Sequence, residues 1–203
     1  MICCEDIFFN LKKIKDKLRT FVAIDLHPEI KKSLSHLIDE LKMLRSQNIK
    51  WISLQGMHLT LKFLGEIRGE MTSEIENVLN RISKKYCNFT LKFKGTGFFP
   101  PGRRNPRILW IGIEENNLLN DIQSELEKEM EKLGFPREQR SFHPHLTLGR
   151  VKSPYHLGPV LSLLEQYREK EFGEMIVKKI TFFKSTLKPT GAEYSVLSEF
   201  MFK

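Results

Sequence analysis

The chain is written twice, and this doubling limits its possible folds more than any other feature. The tetrapeptide His-Leu-Thr-Leu runs from His58 to Leu61 and again from His145 to Leu148, an offset of 87. The strand-like run FVAIDL opens at Phe21, and ILWIGI opens at Ile108, at the same offset. Each run is followed by apolar residues at helical spacing. In the first unit these are Ile30, Leu34, Leu37, Ile38, Leu41 and Leu44; in the second, Leu118, Leu119, Ile122, Leu126, Met130 and Leu133. The helices align better at an offset of 88 (Ile30 with Leu118, Leu34 with Ile122), a slip that flanking loops absorb. Behind each histidine segment comes another helical stretch, around Met71 to Lys84 and around Leu157 to Lys170. Strands then close each unit, FTLKFKG from Phe89 and MIVKKITFF from Met175. Matching order at one offset is the signature of an internal repeat.

The repeat predicts an α+β fold of two pseudo-symmetric lobes. Duplicated β-α-β-α-β units place antiparallel sheets on a central cleft, with helices outside. The lobes are expected at about residues 20–97 and 107–185 of a single domain covering 20–203, with residues 1–19 as an N-terminal extension. Between the units lies FFPPGRRNPR, Phe98 to Arg107, whose Pro, Gly and Arg content reads as an exposed connection. Arg103, Arg104 and Arg107 are candidates there for contacts with RNA phosphates.

Composition narrows the function classes. With 40% hydrophobic and 29% charged residues, the 203-residue chain has the make-up of a globular protein. Its formal charge of +8 attracts polyanions without choosing among RNA, DNA and anionic lipid. Three cysteines, Cys3, Cys4 and Cys87, are too few and odd in number for a disulfide scaffold. No apolar run approaches the roughly 20 residues of a membrane span. Glu5 and Asp6 precede the short N-terminal apolar patch, which is unlike a signal peptide. A cytoplasmic protein without a membrane partner is expected.

Side chains alternate between the faces of a strand, so His58 and Thr60 share one face and His145 and Thr147 share another. Leu59, Leu61, Leu146 and Leu148 then face the core. Imidazole moves a proton near neutral pH, and a threonine hydroxyl donates to a phosphate oxygen. Two such strands related by an approximate two-fold axis bring both histidines to one cleft. In-line opening of a cyclic phosphate needs a base on one side and an acid on the other, and a His pair supplies both. Symmetry alone does not say which is which.

Metal binding is the rival use of these residues, since His143 and His145 share a strand face. Against it stand the lack of a Cys pair, of His-Glu-x-x-His and of an acidic cluster beside the motif. No metal and no cofactor is therefore expected. A P-loop is also missing from the sequence.

At HLTLKFLG and HPHLTLGR the sequence resembles the two-histidine phosphoesterase superfamily, and within it the RNA 2′,3′-cyclic phosphodiesterases, also called 2′-5′ RNA ligases. The likeness extends to RTFVAIDL from Arg19, KWISLQGMHLTLKFLGEI from Lys50, GFFPPGRRNPRILWIGI from Gly97 and STLKPTGAEY from Ser185, covering about residues 19–203. It implies hydrolysis of an RNA-terminal 2′,3′-cyclic phosphate to a 2′-phosphate, and ATP-independent joining of RNA ends through a 2′-5′ linkage. By position, His58 is the proton donor and His145 the acceptor, with Thr60, Thr147 and Arg150 holding the phosphate. Strand parity puts Arg150 on the face opposite His145, and a bend at Gly149 would be needed to re-aim it. Lys62 shares the His58 face by the same parity, as a phosphate-side cation or a structural lysine. Phe63 and Phe142 read first as core residues and second as base-stacking surfaces. The expected partner is an RNA end bearing a cyclic phosphate, with tRNA fragments among the candidates, and the chain is expected to act as a monomer. Two other readings stand beside this one: a non-catalytic RNA-binding module, and a phosphodiesterase for a small cyclic nucleotide.

Overall fold

The structure is a computed structural model that describes residues 17–101, 105–189 and 191–203. Its elements run β1 (Lys17–Asp25), α1 (Pro28–Met43), β2 (Ile49–Trp51), β3 (His58–Arg68), α2 (Thr72–Lys85), β4 (Phe89–Phe99), β5 (Ile108–Ile113), α3 (Asn117–Lys132), β6 (His145–Val151), α4 (Gly158–Gln166), β7 (Glu171–Val177), β8 (Lys179–Lys188) and β9 (Gly191–Met201). Arg103 and Arg104, Cys3 and Cys4, and most of the expected N-terminal extension lie outside the described residues.

The helices form where the apolar spacing places them. Pro28 opens α1 behind the capping side chain of His27, and Ile30, Leu34, Leu37, Ile38 and Leu41 make its buried stripe. Asn116 caps α3, whose buried stripe is Leu119, Ile122, Leu126 and Met130. Leu44 and Leu118 fall off these stripes and are exposed. Helix α4 stops at Gln166, short of the expected Lys170. There the buried Thr96 hydroxyl donates to the Leu164 carbonyl, and the Lys170 carbonyl accepts from Gly95 as the chain turns into β7. No helix among the described residues is long and apolar enough to cross a membrane.

Two antiparallel sheets carry the fold, in the orders β3-β1-β8-β9 and β2-β6-β5-β4-β7. Apart from the added β2, corresponding strands of the repeat take corresponding places: β3 and β6, β1 and β5, β8 and β4. Sheet membership crosses the repeat boundary. Strand β4, from the first unit, pairs with β5, and β8, from the second, pairs with β1. The sequence reading takes MIVKKITFF as one strand; it is two. β7 ends at Val177 beside β4, β8 begins at Lys179 beside β1, and Lys178 alone makes the crossing. The Lys178 carbonyl accepts from the Phe202 N–H (2.8 Å), so the break leaves no orphaned acceptor there.

One continuous apolar core lies between the sheets and the helices. On β1, Val22 and Ile24 face it, while Phe21 and Ala23 face the other way and join Phe183 and Tyr194 in a small separate cluster. That second cluster marks the cleft face of the first sheet.

Candidate active site

Both histidines begin a strand, at the start of β3 and of β6. The two strands lie beside each other across the sheets, with Cα atoms within 8 Å. Strand β2 links them. It pairs with β6 from Ile49 to Trp51, and the Ile52 N–H continues the ladder to the Leu148 carbonyl (2.9 Å). A one-turn 3₁₀ helix at Leu54–Gly56, capped by Ser53, then delivers His58 into the other sheet.

Leu59, Leu61, Leu146 and Leu148 are buried and the histidines and threonines between them are half-buried, as alternation requires. Each strand then departs from alternation at the same place. Opposite β1, the register passes from Ala23↔Thr60 to Val22↔Lys62, leaving Leu61 as an extra residue. Opposite β5, it passes from Trp110↔Thr147 to Leu109↔Gly149, leaving Leu148 as an extra residue. The two bulges occupy equivalent repeat positions.

Each bulge resets the faces beyond it. Arg150 is thereby exposed on the His145 side, while Val151 is buried. Glycine suits the bulge because a Cβ at Gly149 would stand 2.7 Å from the Ile49 side chain and 3.0 Å from the Trp51 ring. In β3 the bulge reverses the parity reading of two residues. Lys62 is buried, donating to Glu127 of α3 (2.5 Å) and to the Pro136 carbonyl (2.7 Å), so it serves structure rather than the cleft. Phe63, read first as a core residue, is 66% exposed, whereas Phe142 packs against the core.

The imidazoles are held in parallel ways. The Gly56 carbonyl acts on His58 to raise its pKa, and Nδ1 of His145 lies 2.7 Å from the His143 carbonyl, each partner two residues upstream. A carbonyl only accepts, so His145 carries its proton on Nδ1 and presents Nε2 as a free base. His143 thus contributes its backbone to the site, and its ring is exposed. Among the described residues no group of three His, Cys, Asp or Glu converges as a metal set.

Surroundings distinguish the two. His58 stacks on Phe21 (4.6 Å between centroids) and meets the edge of Tyr194 (4.9 Å), with Phe183 at 5.9 Å. Burial in this aromatic wall lowers its pKa to about 4, against the opposing influence of the Gly56 carbonyl and Asp25. Among the described residues, the one aromatic ring His145 meets is the edge of Phe99 (5.2 Å), which itself lies against Trp110. Its pKa is lowered as well, by burial first, against the opposing hydrogen bond to the His143 carbonyl, and further by the charge of Arg150. Sequence reasoning missed this aromatic wall because Phe21, Phe183 and Tyr194 come from three strands far apart in the chain. It missed β2 because three residues carry no periodicity.

Known proteins point the same way. The family model described as the 2′-5′ RNA ligase superfamily matches residues 28–188. A Thermotoga maritima relative named RNA 2′,3′-cyclic phosphodiesterase is 38% identical over 92% of this chain and 96% of its own. An Aquifex aeolicus relative of the same name is 42% identical over 74% of this chain and 80% of its own. Among solved structures, one from Thermus thermophilus superposes with a TM-score of 0.77 at 27% identity, covering 91% of this chain and 97% of that one. Escherichia coli LigT complexed with 3′-AMP matches in fold with a TM-score of 0.75 at 23% identity, over 92% and 99%. With two His-x-Thr strands, matching bulges and relatives along nearly its whole length, this chain belongs to the 2′-5′ RNA ligase superfamily.

Proposed function

We propose that the chain hydrolyses an RNA-terminal 2′,3′-cyclic phosphate to a 2′-phosphate, with His58 and His145 as acid and base and no metal. The observation that carries this reading is the pair of imidazoles at equivalent repeat positions, each influenced by the carbonyl two residues upstream, on neighbouring strands. Relatives at 34–42% identity that bear the name of this activity support it.

In the reaction, Nε2 of His145 takes a proton from water as its oxygen attacks phosphorus. The bond from phosphorus to the 3′-oxygen breaks, and His58 gives that oxygen a proton, leaving a 3′-hydroxyl and a 2′-phosphate. The neighbouring charges suit these roles. Arg150 favours neutral His145, as a base requires, and Asp25, opposite His58 in the ladder, favours its protonated form against burial and the charge of Lys31. A bound phosphate adds negative charge beside both rings and raises both pKa values. Thr60, Thr147 and Arg150 hold the phosphate oxygens as charge builds on them. Phe63 offers its exposed face to the terminal base. If an RNA 5′-hydroxyl replaces water, the same proton transfers join two ends through a 2′-5′ linkage without ATP.

The test is a short RNA ending in a 2′,3′-cyclic phosphate, incubated with chelator and without ATP. The expected product carries its phosphate on the 2′-oxygen. His58→Ala and His145→Ala are each expected to lose about 10²–10⁴-fold in kcat, and Phe63→Ala to raise KM. Near-normal turnover in either histidine variant would overturn the mechanism. RNA binding without turnover in the parent protein would favour the non-catalytic module.

A further inference from the structure

Lys50 and Arg150 sit directly opposite each other in the β2–β6 ladder, so their side chains leave the same face. That face is the cleft face, because Ile49 beside Lys50 is buried, as is Val151 beside Arg150. Like charges opposite each other across a ladder are destabilising. Among the described residues neither cation has a carboxylate within 4 Å, whereas Lys17, Lys31, Lys85, Lys179 and Lys188 each pair with one. Arg150 is close enough to His145 to depress its protonation. Lys50 extends toward the start of β9, its Nζ 3.8 Å from where a Cβ at Gly191 would stand.

Beyond these two the positive charge continues. The Val151 N–H donates to the Arg107 carbonyl and the Lys152 N–H to the Asn48 carbonyl, so both exposed cations flank the end of the ladder. An open groove lies there, lined by Asn105, Pro106, Arg107, Lys152, Ser153 and Pro154. Among the described residues no carboxylate lines it. No Asp or Glu occurs between Glu40 and Glu66, between Glu76 and Glu114, between Glu138 and Glu165, or between Glu174 and Glu193. Those stretches supply β2, most of β3, β4, β5, β6 and β8, whereas β1, which also lines the cleft, carries Asp25 opposite His58.

We propose that Lys50, followed by Arg107 and Lys152, is a track for the phosphodiesters immediately upstream of the reacting end. The RNA chain then leaves the cleft over the C-terminal end of β6, and the protein selects oligonucleotide ends over mononucleotides. This inference rests on the functional reading above, and its test separates the two. The substrates are adenosine 2′,3′-cyclic phosphate and a pentanucleotide RNA ending in the same cyclic nucleotide. The parent protein should show a KM at least tenfold lower for the pentanucleotide. The triple variant Lys50→Gln, Arg107→Gln, Lys152→Gln should raise the pentanucleotide KM toward that of the mononucleotide and leave mononucleotide kcat and KM unchanged. The slope of log KM against log salt for the pentanucleotide should flatten by about 0.7 for each phosphate contact removed.

Equal KM values for the two substrates would overturn the track. So would a variant that raises both KM values alike, which would place Lys50 at the reacting phosphate, or one that changes neither. Turnover of neither substrate by the parent protein would overturn the functional reading and the track with it.

Discussion

At the scale of single residues, two imidazoles of the same motif have been given different environments. His58 lies in an aromatic wall that lowers its pKa to about 4, and His145, more open, is lowered by burial and by Arg150. Acid–base catalysis by the pair needs one ring protonated and one neutral. In the free protein that state is most populated between the two pKa values, whichever ring plays which part. Both values lie below the ordinary 6.5 of imidazole, so the optimum of kcat/KM should lie below about pH 6.5. The check is a kcat/KM profile from about pH 4 to 8 at constant ionic strength; a falling limb centred above about 6.5 would contradict the environments described. The histidines, their threonines and the leucines behind them are legible in the sequence, since alternation over a short run needs no tertiary information. The depression of the His58 pKa is not legible, because it arises from burial where Phe21, Phe183 and Tyr194 meet at one ring.

At the scale of elements, the bulges in β3 and β6 decide what reaches the cleft. One extra residue at the equivalent place in each strand, Leu61 and Leu148, turns Phe63 and Arg150 outward and sends Lys62 into the core. Parity alone places all three on the other side, and only the partner strand's register reveals the bulge; Gly149 is the one local hint. Lys62 then becomes a clamp between units. It holds Glu127 of α3, which also accepts from the Gln123 side chain (3.3 Å) and the Glu138 N–H (3.2 Å), and it holds the Pro136 carbonyl of the loop leading to His145. Removing one partner of a buried ion pair leaves an uncompensated charge, at a cost of about 3–5 kcal/mol. Glu127→Ala should therefore destabilise by about that amount in chemical denaturation. The double variant Lys62→Met, Glu127→Leu should recover most of it, because an apolar pair of similar volume replaces the ion pair at little net cost. A Glu127→Ala protein within about 1 kcal/mol of the parent would remove the clamp from the account.

At the scale of the whole molecule, the repeat is readable in the sequence and its connectivity is not. Element order and the 87-residue offset are local facts. The exchange of β4 and β8 between sheets depends on which edge each closing strand finds, and on a crossing made by Lys178 alone. Because each sheet contains strands from both units, neither stretch 17–101 nor 105–203 holds a complete sheet. Thermal and chemical unfolding should follow one cooperative transition by both near- and far-ultraviolet circular dichroism, and two resolved transitions would contradict the shared sheets.

The exchanged strands also say something about how such a chain is put together. Two unlinked copies of one unit could complete these sheets only by trading their closing strands, giving a domain-swapped dimer with two-fold symmetry. In such a dimer every substitution appears twice, and the two halves of the cleft remain mirror tasks of one another. The covalent join at residues 100–107 removes that obligation. It lets Ala23 stand where its counterpart is Trp110, and Phe63 where its counterpart is Arg150. A symmetric site can hold a phosphate; only a site released from symmetry can tell one end of an RNA chain from the other.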